Sequence, residues 1–372
     1  MYAGKNSSTV KRVKSIDIIR GIAVVQMVFW QIFDFFAITD IYRDSPYFIK
    51  TFNAPLHFSV LVLFLSMSGA SLYISISKRL KRGETKNKIF MHTLKRYGML
   101  IFISLFFTTF VFDFCTFFRW EEAIQGIGLT AIVTSIIILG LSYDVETCRK
   151  TILLLLLTIT FILLQPLRAD YVWAVTRDHM FCNTNMDISQ FPTSLLFNLS
   201  MRGFFSFTNL LPLMLVGILL GISLESGILK EKTFSVACLG VLLIAVAIIM
   251  NLYSAIDFYA RSYSSLLLEI GIAISLFSIV EYIINTKTDG LTNNLTKNIF
   301  NFFIPFGMSS LVAYFGHFIL VYKLLQIMAI YTGVQLIGTM SPATSGALSL
   351  LLVLFFHKVT AKWIKMKQKS KH

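Results

Sequence analysis

Charge is scarce in this sequence. Only 14% of its 372 residues are Asp, Glu, Lys or Arg, against roughly 25% in an ordinary soluble domain. Hydrophobic residues make up 56% and the mean hydropathy is +0.72, so water is not the main solvent for the surface of this protein. Cysteine is also scarce: the four, at positions 115, 148, 182 and 238, lack the spacing of a metal site. Two of them, Cys115 and Cys182, fall near one face of the membrane and can pair, whereas Cys148 falls on the other side and Cys238 within a helix. No internal repeat is visible, which counts against an inverted-repeat transporter. No small-residue cleavage site follows the first apolar run, which therefore reads as an uncleaved helix rather than a signal peptide.

What is present is a series of apolar runs of about 20 residues, each long enough to cross a hydrocarbon core of about 30 Å as a helix. They predict an all-α, polytopic transmembrane bundle of about ten helices, near 16–38, 55–77, 97–118, 122–141, 151–167, 203–223, 234–253, 263–284, 304–330 and 343–364. No detachable soluble domain is evident. The expected organisation is a cytoplasmic segment 1–15, a transmembrane domain 16–364 and a basic cytoplasmic tail 365–372.

A formal net charge of +14 raises nucleic acid as a partner, but the placement of the charge argues otherwise. With the N-terminus in the cytoplasm, the inner segments hold 24 of the 33 Lys and Arg residues and the outer segments seven. That asymmetry is the positive-inside rule. It predicts a bilayer partner, no nucleic acid, and both termini cytoplasmic. The densest basic stretch, 78–96, includes Arg79, Arg82 and Arg96. It has two readings, a topology signal alone or a site for anionic headgroups or a phosphorylated cofactor. The outer loop 168–202 mixes aromatic and polar residues, a pattern that suits a sugar but also the bilayer interface.

Polar side chains deep in a membrane helix are costly and are functional hypotheses by default. Counted at 1.5 Å per residue from the inner face, Gln31 lies roughly 22 Å across, Asp34 roughly 27 Å and His317 roughly 20 Å. Glu269, on a helix running inward, lies roughly 21 Å from the inner face. Gln31, Glu269 and His317 thus share one level on three helices. Imidazole can take up and return a proton near neutral pH, so His317 is a candidate general base, with a hydrogen bond across the bundle as the plainer reading. Asp17 and Arg20, three apart on one face, read as an ion pair. Gly69, in Ser66-Met67-Ser68-Gly69-Ala70-Ser71, marks close helix contact, and Pro212 is expected to kink the sixth helix.

Several of these segments together resemble the heparan-α-glucosaminide N-acetyltransferase family and its prokaryotic relatives. Arg12-Val-Lys-Ser-Ile-Asp17-Ile-Ile-Arg20-Gly21 through Met27 is similar to the family's opening helix, and Leu63 through Ser71 to its second. Ala123-Ile-Gln125-Gly126-Ile-Gly128-Leu-Thr130 resembles the fourth. Arg202-Gly203 through Gly221 resembles a later Gly-rich helix, and Phe306-Gly307-Met308 through Gly316-His317 the closing motif.

The resemblance implies a membrane acyltransferase. Such an enzyme takes an acyl group, usually acetyl, from cytoplasmic acetyl-CoA or another acyl-CoA and delivers it to an amino-sugar or other glycan acceptor at the opposite face. No metal is expected. Asp17, Arg20 and His317 match motif positions, while Gln31 falls where relatives carry Asn or His. The family also carries a catalytic histidine between its first two helices. His57 is the histidine near that connection, although an ungapped match from Gly69 does not put it at the family position. The expected roles follow: His317 or His57 as base, Gln31 as an oxyanion donor, Asp34 and Glu269 as orienting groups, and Arg20 with the 78–96 arginines on the coenzyme's phosphates. A transporter lined by His317, Glu269 and Gln31 is the competing class. A plasma membrane is the expected location, and a homo-oligomer is compatible with the sequence.

Overall fold

Long apolar segments in hydrocarbon must satisfy every backbone N–H and C=O internally, and the α-helix does so within one segment. The computed structural model of the chain accordingly consists of helices. It describes residues 13–37, 54–111, 123–141, 147–164, 207–251, 263–285, 291–324, 327, 330–331 and 338–370. Among these residues the only β pairing is one isolated bridge, between Ala37 and Met340.

The helices are α1 (Lys14–Phe36), α2 (Ala54–Lys81), α3 (Lys86–Val111), α4 (Ala123–Leu141), α5 (Thr147–Leu163) and α6 (Phe207–Glu225). They continue with the one-turn α7 (Ile228–Glu231), α8 (Thr233–Asn251), α9 (Tyr263–Asn285), α10 (Leu291–Met308), α11 (Ser310–Phe318) and α12 (Pro342–Lys369). A π-helical segment, Ile319–Leu324, continues α11. Among the described residues, seven helices are long and apolar enough to cross a membrane, or up to eight if the bent pair α10–α11 forms one span. Large apolar side chains stay exposed along α3, α5, α8 and α12, among them Phe102, Leu156, Leu242 and Leu351. Such a surface suits hydrocarbon rather than water. The chain is a multi-pass membrane protein.

Two boundaries differ from the sequence expectation for a physical reason. The third helix begins at Lys86 rather than near 97, because its basic first turns are helical and extend beyond the apolar run. A tight turn joins α2 to it, with Gly83 at a φ of 77°, where a side chain would be strained. The expected single helix 304–330 is instead bent by 73° at Ser309, where α10 meets α11. Pro305 lies one turn before the bend and contributes no N–H. Its carbonyl accepts from both the N–H and the hydroxyl of Ser309, at 3.1 and 2.7 Å. Pro212 lies within α6, which continues through it as one helix.

Helix α2 lies against α1, α4, α6 and α9. Glycines set the closest approaches: a Cβ on Gly69 would overlap the carbonyl of Met214, and one on Gly217 the carbonyl of Ser66. The run around Gly69 therefore holds α2 against α6, as small residues do in membrane bundles. In the same way, a Cβ on Gly21 would overlap the Phe303 carbonyl and one on Gly307 the Asp17 carbonyl, which brings α10 onto α1. Buried hydroxyls such as Thr130, Thr158, Ser278 and Thr360 donate to the carbonyl four residues earlier, so they cost little in an apolar interior.

The far end of α1 is clasped by the chain that leads into α12. Gly338 and Met340 donate backbone N–H bonds to Phe35 and Phe36 at 3.1 and 2.9 Å. Ser341 then caps α12 by accepting from the N–H of Thr344, with Pro342 in the first turn.

Candidate functional site

One face of α1 carries Asp17, Arg20 and Gln31. Arg20 and Gln31 are eleven residues apart, about three helical turns, so they fall on nearly the same stripe. At the upper end of this stripe the Gln31 side-chain amide meets Nε2 of His317. His317 is fully buried on α11, immediately before the π-helical segment. Its other ring nitrogen, Nδ1, lies 3.0 Å from the carbonyl of Ala313. A carbonyl only accepts, so Nδ1 carries the proton, and in a neutral ring Nε2 is left with the lone pair. The Gln31 atom placed against Nε2 is Oε1, which only accepts; a ring protonated on Nδ1 is met there by a donor once the amide is flipped so that its N–H end faces Nε2. Tyr314 and Phe318 hold the imidazole edge-on and tilted, with ring centroids 5.8 and 4.4 Å away. Two side chains placed at one depth by counting residues are thus in direct contact.

Lower on α1, Asp17 and Arg20 approach to 3.9 Å. The guanidinium also donates to the hydroxyl of Ser71 at 2.8 Å, and its Nη2 lies 3.5 Å from the Met67 carbonyl. Arg20 therefore ties α1 to α2 beside the small-residue run. The ion pair expected from the i, i+3 spacing is present.

The arginines of the basic stretch behave differently from one another. Arg79 pairs with Glu84 at 3.6 Å, Arg96 lies over the ring of Tyr97 at 5.4 Å, and Arg82 is exposed in the turn. Around them Lys81 pairs with Glu225 at 2.6 Å and Lys86 donates to the last carbonyls of α4, at Leu139, at 3.0 Å.

Glu269 is buried on α9, a helix that packs against α8, α2 and α1. Asp34 is exposed, one turn beyond Gln31. His57 lies in the first turn of α2, and its side chain, like Cys115 and Cys182, falls outside the described residues. Among the described residues no three His, Cys, Asp or Glu side chains gather closely enough to hold a metal ion.

The first half of the chain carries a likeness to a known family. Residues 12–184 match the family model described as heparan-alpha-glucosaminide N-acetyltransferase, catalytic. Over this stretch, a little under half of its length, the chain is similar to the heparan-alpha-glucosaminide N-acetyltransferase family. No curated protein matches the chain. The heparan-alpha-glucosaminide N-acetyltransferase match takes in α1 to α5, and with them Asp17, Arg20, Gln31, His57 and the basic stretch. The family's activity is that of an N-acetyltransferase, with acetyl-CoA as its general donor. His317 and Glu269 lie beyond the match, and His317 joins the matched part through its contact with Gln31.

Two buried polar groups were not singled out for chemistry in the sequence. Gln125 on α4 and Asn209 on α6 are both fully buried. Each opens a helix that reads as almost wholly apolar, and a lone amide in such a run was the available signal.

Proposed function

We propose that this protein is an integral membrane acyltransferase that moves an acetyl group from cytoplasmic acetyl-CoA to an amino-sugar or other envelope-glycan acceptor at the outer face. The observation that carries this reading is the contact between Gln31, inside the family match, and His317 on the bent helix. The topology proposed with it has ten spans, with α5, α6 and the α10–α11 pair crossing alongside the seven longer helices. Both termini face the cytoplasm and the host is a plasma membrane. The basic segments, concentrated on one side, support that orientation.

In the proposed reaction the acceptor's neutral amine attacks the thioester carbonyl carbon. A C–N bond forms, the C–S bond breaks, and the coenzyme leaves as thiolate. His317 Nε2 takes the proton that the amine loses and passes it to the thiolate. Its Nδ1–H bond to Ala313 fixes the tautomer this role requires. The incoming amine replaces Gln31 at Nε2, which frees both amide N–H bonds of Gln31 for the developing oxyanion. His57 is the second candidate base. Arg20, Arg79, Arg82 and Arg96 are assigned to the coenzyme's phosphates on the cytoplasmic side. Asp17 holds Arg20 in place, and Asp34 and Glu269 are assigned to orienting the acceptor.

A second reading, a secondary transporter, draws on one observation. The helix carrying His317 is broken by 73° at Ser309, and discontinuous helices often hold a transporter's substrate. Purified protein supplied with acetyl-CoA and a set of amino sugars separates the two. Release of free coenzyme A that depends on the amino sugar supports transfer. No release with any acceptor, together with solute flux in vesicles, supports transport instead.

A further inference from the structure

The amide of Gln125 is fully buried on the first turns of α4, and among the described residues neither its nitrogen nor its oxygen has a hydrogen-bond partner. The other polar side chains of this helix are satisfied within it: Thr130 donates to Gly126, Thr134 to Thr130 and Ser135 to Ile132, at 2.5 to 2.7 Å. A buried amide left unanswered costs about 1–3 kcal/mol, whereas an apolar residue of similar shape would cost nothing of the kind. A glutamine at this position therefore calls for a partner that the described residues do not supply.

Its location indicates the partner. The preceding residue, Ile124, belongs to the apolar cluster that also contains Val28 and Ile32 of α1 and Tyr314 and Phe318 of α11. Those four residues flank Gln31 and His317. Phe107 of α3, the helix packed along α4, closes the same cluster against the rings of Phe315 and Phe318. Gln125 thus directly follows a residue of the apolar cluster that includes the neighbours of Gln31 and His317, on a helix that packs against α2, α3 and α6.

We propose that Gln125 is an acceptor-binding residue, whose amide hydrogen-bonds a polar group of the incoming sugar. The inference rests on the acyltransferase reading. An amide offers a donor and an acceptor side by side, and a sugar hydroxyl or amine offers both in return. Phosphates and the thioester offer acceptors only and would leave the Gln125 oxygen unanswered. The pantetheine arm of the coenzyme carries both kinds of group, and the experiment separates it from the sugar.

The full-length protein is purified as wild type, Gln125→Leu and the closer isostere Gln125→Met, and each is assayed with acetyl-CoA and glucosamine and melted without substrates. The variants are expected to raise the glucosamine KM about 10- to 100-fold, the loss of one or two hydrogen bonds. The acetyl-CoA KM should stay within about twofold, and the substrate-free melting temperature should rise because an orphaned buried amide has been removed. An unmoved glucosamine KM in an active background overturns the proposal alone. So does a rise confined to the acetyl-CoA KM, which assigns Gln125 to the coenzyme. A lowered melting temperature with equal losses for both substrates also overturns it, because it marks a structural role. A wild type that transfers to no acceptor defeats the acyltransferase reading, and this proposal with it.

Discussion

The proton on His317 Nδ1, directed at the Ala313 carbonyl, leaves Nε2 as the ring's only acceptor, and that nitrogen faces Gln31. Under the acyltransferase account, His317→Ala should abolish turnover while the protein still purifies folded and monodisperse; wild-type rates in that variant would remove His317 from the reaction. Gln31→Leu is expected to lower kcat by about 10²- to 10³-fold, the usual loss for one oxyanion donor, with little change in the acetyl-CoA KM. Gln31→Asn, which keeps the amide, should retain part of the rate. The shared depth of Gln31 and His317, roughly 20 Å from the inner face, was legible in the sequence from helical rise, but that the two touch was not, since the same count put Glu269 at that level as well. Nor was the isolation of the Gln125 amide. Depth can be counted along one helix, but whether a buried amide has a partner depends on side chains from other helices. Likewise the i, i+3 spacing announced the Asp17–Arg20 pair, whereas the bond from Arg20 to Ser71 depends on how α1 and α2 are set against each other.

Helices meet in this bundle where glycine removes the side chain between them. A Cβ on Gly307 would overlap the Asp17 carbonyl, so Gly307→Val should push α10 away from α1. The expected cost is about 1–3 kcal/mol, the range for overpacked interiors, read as a lower melting temperature in detergent. An unchanged melting temperature would show that the two helices are not in contact there. At Gly83 an added Cβ would meet nothing within 4 Å, so a substitution there would be strained only by the positive φ. The apolar runs announced most helices within a few residues of their ends, because hydrocarbon selects for composition. The bend at Ser309 was hidden because the residues after it remain apolar, and a Ser side chain gives no warning that its backbone will turn. Helix α3 begins eleven residues earlier than its apolar run because the lysines and arginines of the stretch from Lys86 to Arg96 form helix about as readily as Leu does, and apolar runs report only the part suited to lipid.

For the whole molecule, the claim is directional: donor on one side of the bilayer, acceptor on the other. Topology can be tested first. In a background without native cysteines, Arg82→Cys should react with a membrane-impermeant maleimide only when the cytoplasmic face is open, and labelling from the outside would reverse the proposed orientation. The decisive experiment reconstitutes the protein in sealed vesicles with glucosamine inside and radiolabelled acetyl-CoA outside, using molecules oriented with their basic face outward. The account predicts labelled N-acetylglucosamine in the lumen and one free coenzyme A outside for each acetyl group transferred, with neither product in vesicles carrying His317→Ala. Labelled sugar formed only when both substrates are on one side, or no labelled sugar at all, would contradict it.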